Sequence, residues 1–467
     1  MALSLSRVEL QGPPIGRDSR TQIYRTHEGK DPERGGRKRD VSLALLGPRS
    51  TMNVLLISAN TERINIPTLP FGLGLVAAAV RAAGHQAVML DLMTAVDPRS
   101  TIERAIREQR PDVIGISVRN IDDQCMQSPR FLLDQVTSVV AACRACSQAA
   151  LVLGGAGYSI FPAAALAYLG ADLGVCGEGE VVFPALLSCL ECGDHPSDLP
   201  GVYAAGRSAR VQRTFTRTLD ALPFPDEDLW SLADPNDPDL WVPVQSRRGC
   251  PLDCSYCSTA IIEGRTIRAR SPKLVAAEIA RIAQAGFRRV YFVDNTFNLP
   301  PSYALELCQW ITAQRLDISW RCILYPYDVP EELVRAMAEA GCVEVSLGFE
   351  SGSARILHAM NKRFLPEEVR RISDLLATHG IRRLGFLLLG GPGETQASVE
   401  ESLAFADSLH LDMLKTTVGI RIYPDTPLAR TALREGAIAP GDDLLFPRFY
   451  MTPGLTVPSD RFTSERA

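Results

Sequence analysis

The fold of this chain is constrained most by a regular alternation of short apolar runs with helical patterns in its first half. The apolar runs lie at residues 53–58, 86–91, 112–117, 150–154 and 173–176. The helical patterns lie near residues 72–84, 100–109, 127–147, 162–170 and 178–192. Strands and helices that alternate in this way form parallel sheets with helices on both faces. We therefore expect residues 52–195 to form a doubly wound, Rossmann-like α/β domain.

The same alternation starts again after a segment rich in turns. Residues 196–243 hold a hairpin pattern around 201–213 and then five prolines, so we interpret them as a hairpin and an interdomain connector. Further apolar runs lie near residues 244–248, 289–293, 320–324, 343–349, 383–389 and 416–422, separated by helical patterns such as 273–286 and 330–340. Six strand–helix units predict a partial (β/α)6 barrel over residues 244–430, with its chemistry at the C-terminal strand ends. Residues 431–467 are then a short C-terminal extension.

Composition and charge exclude several classes of protein. The 467 residues are 46% hydrophobic and 22% charged, as in soluble globular domains, and a net charge of −5 gives no basic field for nucleic acid. We expect no transmembrane segment and no secretory signal. Twelve cysteines favour metal binding or catalysis in a reducing, cytoplasmic compartment over disulfides. Residues 1–51 carry a local excess of Lys and Arg without apolar periodicity, which indicates a disordered basic tail or a true translation start at Met52.

Three cysteines directly after the first strand of the second series form the strongest motif. Cys250, Cys254 and Cys257 are spaced C-x3-C-x2-C on one loop. Three thiolates on a 4Fe–4S cubane leave one iron open to a cofactor or substrate, whereas structural zinc needs four ligands and no histidine lies in the loop. The C-x2-C pairs at 143/146 and 189/192 lie in helical stretches, and we interpret them as packing residues.

The cysteine loop, including Tyr256 before the third cysteine, resembles that of the radical S-adenosylmethionine (SAM) superfamily. The resemblance implies that the open iron chelates SAM and that an electron from the cluster yields a 5′-deoxyadenosyl radical. It also implies contacts with SAM after successive strands, to the amino group, the ribose and the adenine in turn. The residues implied are Tyr256, Asp294 for the amino group, Ser346 and Glu350 for the ribose, and Gly390, Gly393 and Glu394 for the adenine.

The sixth strand carries two less regular features. Arg421 is expected to reach SAM or the substrate, or to balance the charge of Glu350. The family's Pro-Gly-Thr-Pro pattern matches residues 424–427 except that Asp425 replaces the glycine, which puts the local turn in doubt.

The first domain resembles the cobalamin-binding domain that precedes the radical domain in many relatives. Small residues after parallel strands would form a flat rim on which a planar cofactor can lie. The D-x-H-x-x-G signature of a histidine ligand is absent, so cobalamin is expected without one, and Arg63, Arg119 and Asn120 are candidates for its lower face. A domain that has lost its ligand is the alternative. The cobalamin residues implied by the resemblance are Pro70, Gly72, Leu73, Ser117, Arg119, Asn120, Gly154, Gly155, Glu178 and Gly179.

Together these resemblances predict a cobalamin-dependent radical SAM enzyme with three cofactors: a 4Fe–4S cluster, SAM and cobalamin. We expect it to methylate an unactivated carbon of a small-molecule, lipid or tetrapyrrole-type substrate, with flavodoxin or ferredoxin as electron donor. An oxidative cyclase or ring-rearranging enzyme without methyl transfer is the alternative, and a catalytically silent metal- or cobalamin-binding regulator is a third. A methylthiotransferase is disfavoured because no cysteine precedes Cys125 for a second cysteine triad.

Overall fold

The computed structural model describes residues 51–62, 69–206 and 213–457, and the first of two six-stranded sheets lies in residues 53–204. Its strands are β1 (Asn53–Ser58), β2 (Gln86–Asp91), β3 (Val113–Ser117), β4 (Ala150–Gly154), β5 (Leu173–Val175) and β6 (Val202–Ala204). Its helices are α1 (Phe71–Ala82), α2 (Pro98–Gln109), α3 (Leu133–Cys146), α4 (Ala156–Ile160), α5 (Pro162–Leu169) and α6 (Gly179–Cys192). The strand order is β2-β1-β3-β4-β5-β6, and strands β1 to β5 run parallel. The predicted doubly wound fold is confirmed.

One local prediction in this domain was wrong, and another falls partly outside the described residues. Of the predicted hairpin at 201–213, strand β6 is described and pairs antiparallel with β5, whereas residues 207–212 lie outside the described residues, so the hairpin stays a prediction. Helix α3 begins at Leu133 instead of residue 127 because two aspartates form turns before it. Asp122 accepts a hydrogen bond from the N–H of Gln124 (3.0 Å) and forms a β-bridge with Phe131. Asp123 accepts hydrogen bonds from the N–H groups of Cys125 and Arg130 (both 3.1 Å), which holds the segment before Leu133 in a non-helical loop. Such side-chain bonds compete with the helical backbone pattern.

The second sheet has the strand order β14-β13-β12-β11-β10-β7, and all its neighbours are parallel, as in the predicted partial barrel. The strands of this region are β7 (Val242–Val244), β8 (Arg247–Arg248), β9 (Arg268–Ala269), β10 (Arg289–Phe292), β11 (Ser319–Leu324), β12 (Cys342–Glu350), β13 (Arg382–Leu389), β14 (Met413–Val418), β15 (Ile420–Arg421) and β16 (Phe449–Tyr450). The helices are α7 (Thr259–Glu263), α8 (Pro272–Gln284), α9 (Pro301–Ala313), α10 (Glu331–Glu339), α11 (Ala354–Ala359), α12 (Pro366–Thr378), α13 (Gln396–Ser408) and α14 (Pro427–Arg434). Three short 3₁₀ helices lie at Pro196–Asp198, Leu219–Ala221 and Glu227–Leu232.

Two predicted barrel strands are each divided into two. The predicted strand 244–248 leaves the sheet after Val244, and β8 pairs antiparallel with β9. The predicted strand 416–422 is interrupted at Gly419, which has a φ of 78°, and β15 pairs antiparallel with β16. Both interruptions lie at the C-terminal edge of the sheet, where the loops that carry the motifs begin.

The alternation of side chains along β12 separates the core from the barrel interior. Val345, Leu347 and Phe349 are buried in the hydrophobic core, and the intervening residues Ser346 and Glu350 face the other side of the strand. The motif residues of this strand therefore point toward the barrel interior because they occupy the non-core positions of a strand with a period of two.

The two sheets pack into one compact unit. Phe71 and Leu75 of α1 belong to the same hydrophobic core as the barrel strands. The proline-rich connector is packed as well: Leu229 is fully buried, and Arg81 of α1 pairs with Asp226 (2.7 Å) and Asp228 (2.6 Å). The exact ends of the domains stay predictions from the sequence. Among the helices of the described residues, none has the length and apolarity needed to cross a bilayer.

Candidate active site

A cavity of about 480 Å³ lies between the carboxyl edge of the first sheet and the barrel. It is lined by nine of the ten residues implied by the resemblance to cobalamin-binding domains: Pro70, Gly72, Leu73, Ser117, Arg119, Gly154, Gly155, Glu178 and Gly179. The barrel side contributes Gln245, Arg248, Glu263, Tyr291 and Val293. The structure thus brings the predicted residues of separate loops together in one cavity, which we call the interdomain cavity.

The part of the interdomain cavity within the first domain is apolar and narrow. Leu56, Val152 and Phe183 line it, and Gly115 of β3 lies between them. A Cβ at Gly115 would lie 2.7 Å from the side chain of Leu56, and one at Gly155, where φ is 100°, would lie 2.6 Å from the carbonyl oxygen of Val118. A Cβ would clash at either position, and the positive φ of Gly155 also favours glycine, so these two residues keep a slot open beside the backbone. A slot of this kind fits the flat nucleotide tail of a corrinoid.

The candidates for the lower face of cobalamin are placed differently from one another. Arg119 lines the interdomain cavity, and burial lowers its pKa from the usual value. Asn120 lines a small adjoining hollow together with Asn60 and Glu62, and its predicted contact with cobalamin stays a prediction. Arg63 lies outside the described residues. In the described part of the chain, no histidine lines the cavity.

The carboxylate of Glu178 takes part in a buried ion network between the two domains. It pairs with Arg268 and lies 3.4 Å from Arg248, which also pairs with Glu180. All four side chains are at most 8% exposed. Glu178 therefore joins the first domain to the segment that precedes Cys250, and its predicted contact with cobalamin would have to use the remaining surface of the side chain. Sequence analysis missed this network because its members are 68 to 90 residues apart.

The loop of residues 250–257, which we call the cluster loop, is held in place by hydrogen bonds at several points. The N–H of Cys250 donates to the carbonyl of Gly264 (3.0 Å), and Glu263 accepts from the N–H of Gly249 (3.0 Å). The N–H of Ser255 donates to the carbonyl of Met360 (3.0 Å), and its own carbonyl accepts from the N–H of Leu428 (2.8 Å). The loop is therefore held by backbone hydrogen bonds to three different segments.

The three thiols of the cluster loop are buried or partly buried. Burial raises the pKa of Cys250 to about 11 and also raises the pKa of Cys254. Iron would therefore have to displace the thiol protons on binding. Among the described residues, no three His, Cys, Asp or Glu side chains converge on a point for a single metal ion, and none of the cysteines forms a disulfide. In a cubane each thiolate binds a different iron, so the three thiols would not have to meet at one point to hold a cluster.

Glu350 ends β12 in an unusual backbone conformation. Its φ is 62°, and the register of β12 with β13 shifts between Leu347 and Glu350. The bulge directs the carboxylate toward the cluster loop, where Oε1 accepts a hydrogen bond from the hydroxyl of Tyr256 (2.8 Å). A Cβ at Gly348 would lie 3.1 Å from that oxygen, so a small residue is needed there. A strained residue at a strand end is typical of functional sites.

The turn after β13 is organised by Glu394. Its Oε2 accepts hydrogen bonds from the N–H groups of Gly390 and Gly391, and Gly390 and Gly393 both have positive φ. Its Oε1 is buried and has no hydrogen-bond partner within the described chain. A buried, unpaired carboxylate oxygen is costly, so a ligand donor is the expected partner. The predicted contact of this turn with adenine stays a prediction, and the unpaired oxygen fits it.

The carboxylate of Asp294 forms hydrogen bonds within the protein. It is 1% exposed and accepts hydrogen bonds from the N–H groups of Ser246 (2.7 Å) and Arg247 (3.0 Å). These bonds hold the backbone where β7 leaves the sheet. Asp294 thus orients the segment before the cluster loop, and its predicted role at the amino group of SAM stays a prediction.

Arg421 pairs with an aspartate of the first domain and not with Glu350. Its Nε donates to Asp122 of the first domain (2.7 Å), and both side chains are 2% exposed. The guanidinium therefore bridges the two domains instead of balancing the charge of Glu350, and its predicted contact with SAM or the substrate stays a prediction. The doubtful turn beside it is resolved: Asp425 has a φ of 59°, the conformation that favours glycine but that aspartate tolerates better than most residues.

Comparison with known proteins agrees with this geometry. Residues 58–187 match the model of the B12 binding domain, and residues 244–406 match that of the radical SAM superfamily. The chain belongs to the B12-binding radical SAM enzymes. It is 28% identical to an uncharacterized methyltransferase of Pyrococcus horikoshii, over 89% of this chain and 90% of the relative. It is 24% identical to tryptophan 2-C-methyltransferase of Streptomyces laurentii, over 80% of this chain and 73% of the relative.

A solved structure has the same fold as this B12-binding radical SAM enzyme. It is that of the radical SAM methyltransferase TsrM from Kitasatospora setae with cobalamin and a 4Fe–4S cluster bound. The TM-score is 0.76 at 21% identity, and the match covers 88% of this chain and 86% of the other. The likeness extends through both domains, so the arrangement of a B12-binding domain before a radical SAM domain is that of a known architecture.

Proposed function

We propose that this protein is a cobalamin-dependent radical SAM methyltransferase that methylates an unactivated carbon of a small molecule. One observation carries the proposal: a single cavity is lined both by the motif residues of the B12-binding domain and by Arg248 and Glu263, which flank the cluster loop. A methyl carrier and a radical source that act on one carbon have to face a common space, because group transfer requires the reacting atoms to be in contact.

Separate parts of the site would hold the three cofactors. Cys250, Cys254 and Cys257 would bind the 4Fe–4S cluster, Glu350 and the turn at Gly390–Glu394 would bind SAM, and the rim at Gly154–Gly155 with Arg119 would bind cobalamin. When bound, the cluster would supply the electron that cleaves SAM, and cobalamin would carry the methyl group. The relative whose name specifies tryptophan as substrate supports a small organic substrate for this chain as well.

The chain's own residues would keep the reacting space dry and fixed. The buried ion network of Glu178, Glu180, Arg248 and Arg268 closes the junction between the domains beside the cavity. Tyr291 on β10 faces the cavity, and burial raises its pKa, so its hydroxyl stays protonated and can donate a hydrogen bond to a substrate at neutral pH. Excluding water protects a radical from side reactions.

A reduced cluster needs an external electron source, and we propose flavodoxin or ferredoxin for that role. Both operate in the reducing cytoplasm, where free cysteines persist. All twelve cysteines of the chain are unpaired, which supports this compartment.

We predict that cobalamin is bound without a nitrogen ligand from the protein. The cavity has no histidine among its described lining residues, and Arg119, which stays protonated, is a poor metal ligand. Electron paramagnetic resonance of the Co(II) form should show no nitrogen superhyperfine splitting from a lower ligand. Such splitting in the holoprotein would contradict the prediction.

The proposed reaction can be tested before the substrate is identified. Cells that produce the protein would be grown with methionine carrying a CD3 methyl group, beside cells that produce a variant with Cys250, Cys254 and Cys257 replaced by alanine. A metabolite that appears only with the intact cysteines should carry all three deuterons, as shown by mass spectrometry. A metabolite that depends on the cysteines but carries no label would indicate cyclisation or rearrangement and overturn methyl transfer.

A further inference from the structure

The inward-facing side of the barrel sheet is accessible to a small molecule. Along β10 to β14, the residues that alternate with the buried core positions are only partly buried: Tyr291, Ile323, Ser346, Leu384, Phe386 and Lys415. An interior that is filled by its own side chains is close-packed. Partly buried apolar residues on the inner side of a barrel therefore line space for a ligand.

Arg321 of β11 lies on this inward-facing side and has two nitrogen atoms without hydrogen-bond partners. In the sheet it is paired with Tyr291 of β10 and with Glu344 of β12. The residue is 9% exposed, and its Nε and Nη2 are buried without a hydrogen-bond partner in the described chain. Its Nη1 lies 3.8 Å from Oε1 of Glu344, which is beyond hydrogen-bond distance. Because a buried donor without an acceptor is costly, an acceptor from outside the chain is expected there.

Positive charge exceeds negative charge on the inward-facing side of these strands. Glu344 is shared between Arg321 and Arg382, since its Oε2 lies 3.7 Å from the second arginine. Glu350 is already in an ion pair with a lysine (3.0 Å). Lys415 of β14 adds a further positive charge, and burial lowers its pKa. A water molecule could satisfy the two donors of Arg321 but would not offset this charge, whereas an anionic oxygen does both.

Two aromatic rings flank the guanidinium of Arg321. Its Cζ lies 4.3 Å from the ring centroid of Trp241 and 4.8 Å from that of Tyr291. Tyr291 also lines the interdomain cavity, so the guanidinium lies one ring away from that cavity. Both rings are only partly buried, and a rotation of Tyr291 would open the two nitrogens to a ligand on the inner side of the barrel.

The two nitrogens without partners form one edge of the guanidinium. Nε and Nη2 point their N–H groups in the same direction, and this edge can bind two oxygens of one acid group side by side. We propose that Arg321 determines substrate specificity, and that the substrate is a small acid whose carboxylate or phosphonate group binds this edge. The proposal rests on the proposed function, because it names the substrate class of the same site.

The test uses the full chain with its cluster and cobalamin reconstituted under anaerobic conditions. The probes are benzoate, phenylphosphonate and neutral benzamide, which share a ring and differ in the polar group. Saturation-transfer difference NMR gives their Kd for the wild type, Arg321→Met, Arg321→Lys, the double variant Arg321→Met with Glu344→Gln, and the control Arg382→Met. Arg382 lies near the same glutamate but is 59% exposed. Iron and cobalamin contents report whether each variant is folded.

The wild type should bind at least one of the acids and should bind benzamide at least roughly tenfold more weakly. The preferred acid distinguishes a planar carboxylate from a tetrahedral phosphonate. Arg321→Met should weaken acid binding by about ten- to hundredfold, the range expected for hydrogen bonds to a charged group. Arg321→Lys should recover only part of the affinity, because lysine keeps the charge but lacks the two-nitrogen edge. Arg382→Met should bind the acids like the wild type.

The double variant covers the case in which Arg321→Met alone does not fold, because it also removes the carboxylate that the arginine faces. Its acid affinity should fall as far as that of the single variant. The inference is overturned by equal affinity of the wild type for the acids and benzamide, by no binding of either acid, or by unchanged acid affinity in both proteins that carry Arg321→Met.

The CD3-labelled metabolite separates this inference from the proposed function. If the inference is correct, the metabolite is retained by an anion exchanger at neutral pH. A neutral labelled metabolite would overturn the acid assignment and leave methyl transfer intact. Acid binding that depends on Arg321, without any labelled metabolite, would support the anion site and contradict the proposed function.

Discussion

Replacing Cys250, Cys254 and Cys257 together by alanine is expected to remove the iron–sulfur cluster and all reductive cleavage of SAM. The three thiols lie on one loop, which backbone hydrogen bonds hold in place, and each thiolate would bind a different iron of the cubane. The wild-type protein should carry about four irons per chain in this site after anaerobic reconstitution, and the triple variant none. Iron analysis, the visible absorption of the cluster and the yield of 5′-deoxyadenosine measure the loss.

The matched control replaces three other cysteines, Cys125, Cys146 and Cys192, which are partly or fully exposed and lie far from the cluster loop in the sequence. That variant should keep its iron and its SAM cleavage. Circular dichroism should show that both triple variants are folded, because backbone hydrogen bonds hold the cluster loop. A Cys250/Cys254/Cys257 variant that retained iron and still produced 5′-deoxyadenosine would remove the basis for the cluster assignment.

Arg421→Met is expected to destabilise the protein by about 3–5 kcal/mol, the cost of leaving a buried charge without its partner. Arg421 and Asp122 are each 2% exposed and lie 2.7 Å apart across the domain junction. The guanidinium also donates to the carbonyls of Ile422 (2.6 Å) and Leu444 (2.8 Å), which would lose their donor. The shift of the urea unfolding curve measures the effect.

Two further variants distinguish the stability lost with the buried ion pair from any general effect of replacing an arginine. Arg99→Met removes an exposed pair with Glu103 and should leave the urea unfolding curve almost unchanged. Arg421→Met combined with Asp122→Leu leaves no uncompensated charge and should be more stable than Arg421→Met alone. If Arg421→Met were as stable as Arg99→Met, the proposed bridge between the domains would be contradicted.

Much of the fold was predictable because its signals are local. The strands β1 to β5 and the barrel strands follow from apolar runs bounded by turns, and the resemblance to cobalamin-binding domains predicted nine residues of the interdomain cavity. The start of α3 was missed because it depends on the side chains of Asp122 and Asp123, which outcompete a helical pattern. The division of two barrel strands likewise depends on contacts made by Asp294 and on the φ of Gly419.

The parts of the site that were not predictable join residues that are distant in the sequence. Arg421 meets Asp122 across 299 positions, and Arg248 meets Glu180 across 68. No local pattern marks such pairs, and an arginine in a motif looks the same whether it meets a cofactor or an aspartate. The ion pair of Lys362 with Glu350 (3.0 Å) was missed for a related reason, since the position of the lysine depends on how α11 ends against the cluster loop.

The most direct test of the central claim is the ratio of two SAM-derived products during turnover of the holoenzyme with its substrate. A methyl transfer that uses one SAM as methyl donor and a second as radical source should release S-adenosylhomocysteine and 5′-deoxyadenosine in near-equal amounts. Liquid chromatography with mass spectrometry measures both compounds in the same sample. The account predicts a ratio near one that holds throughout turnover. Formation of 5′-deoxyadenosine with substrate conversion but without S-adenosylhomocysteine would contradict it.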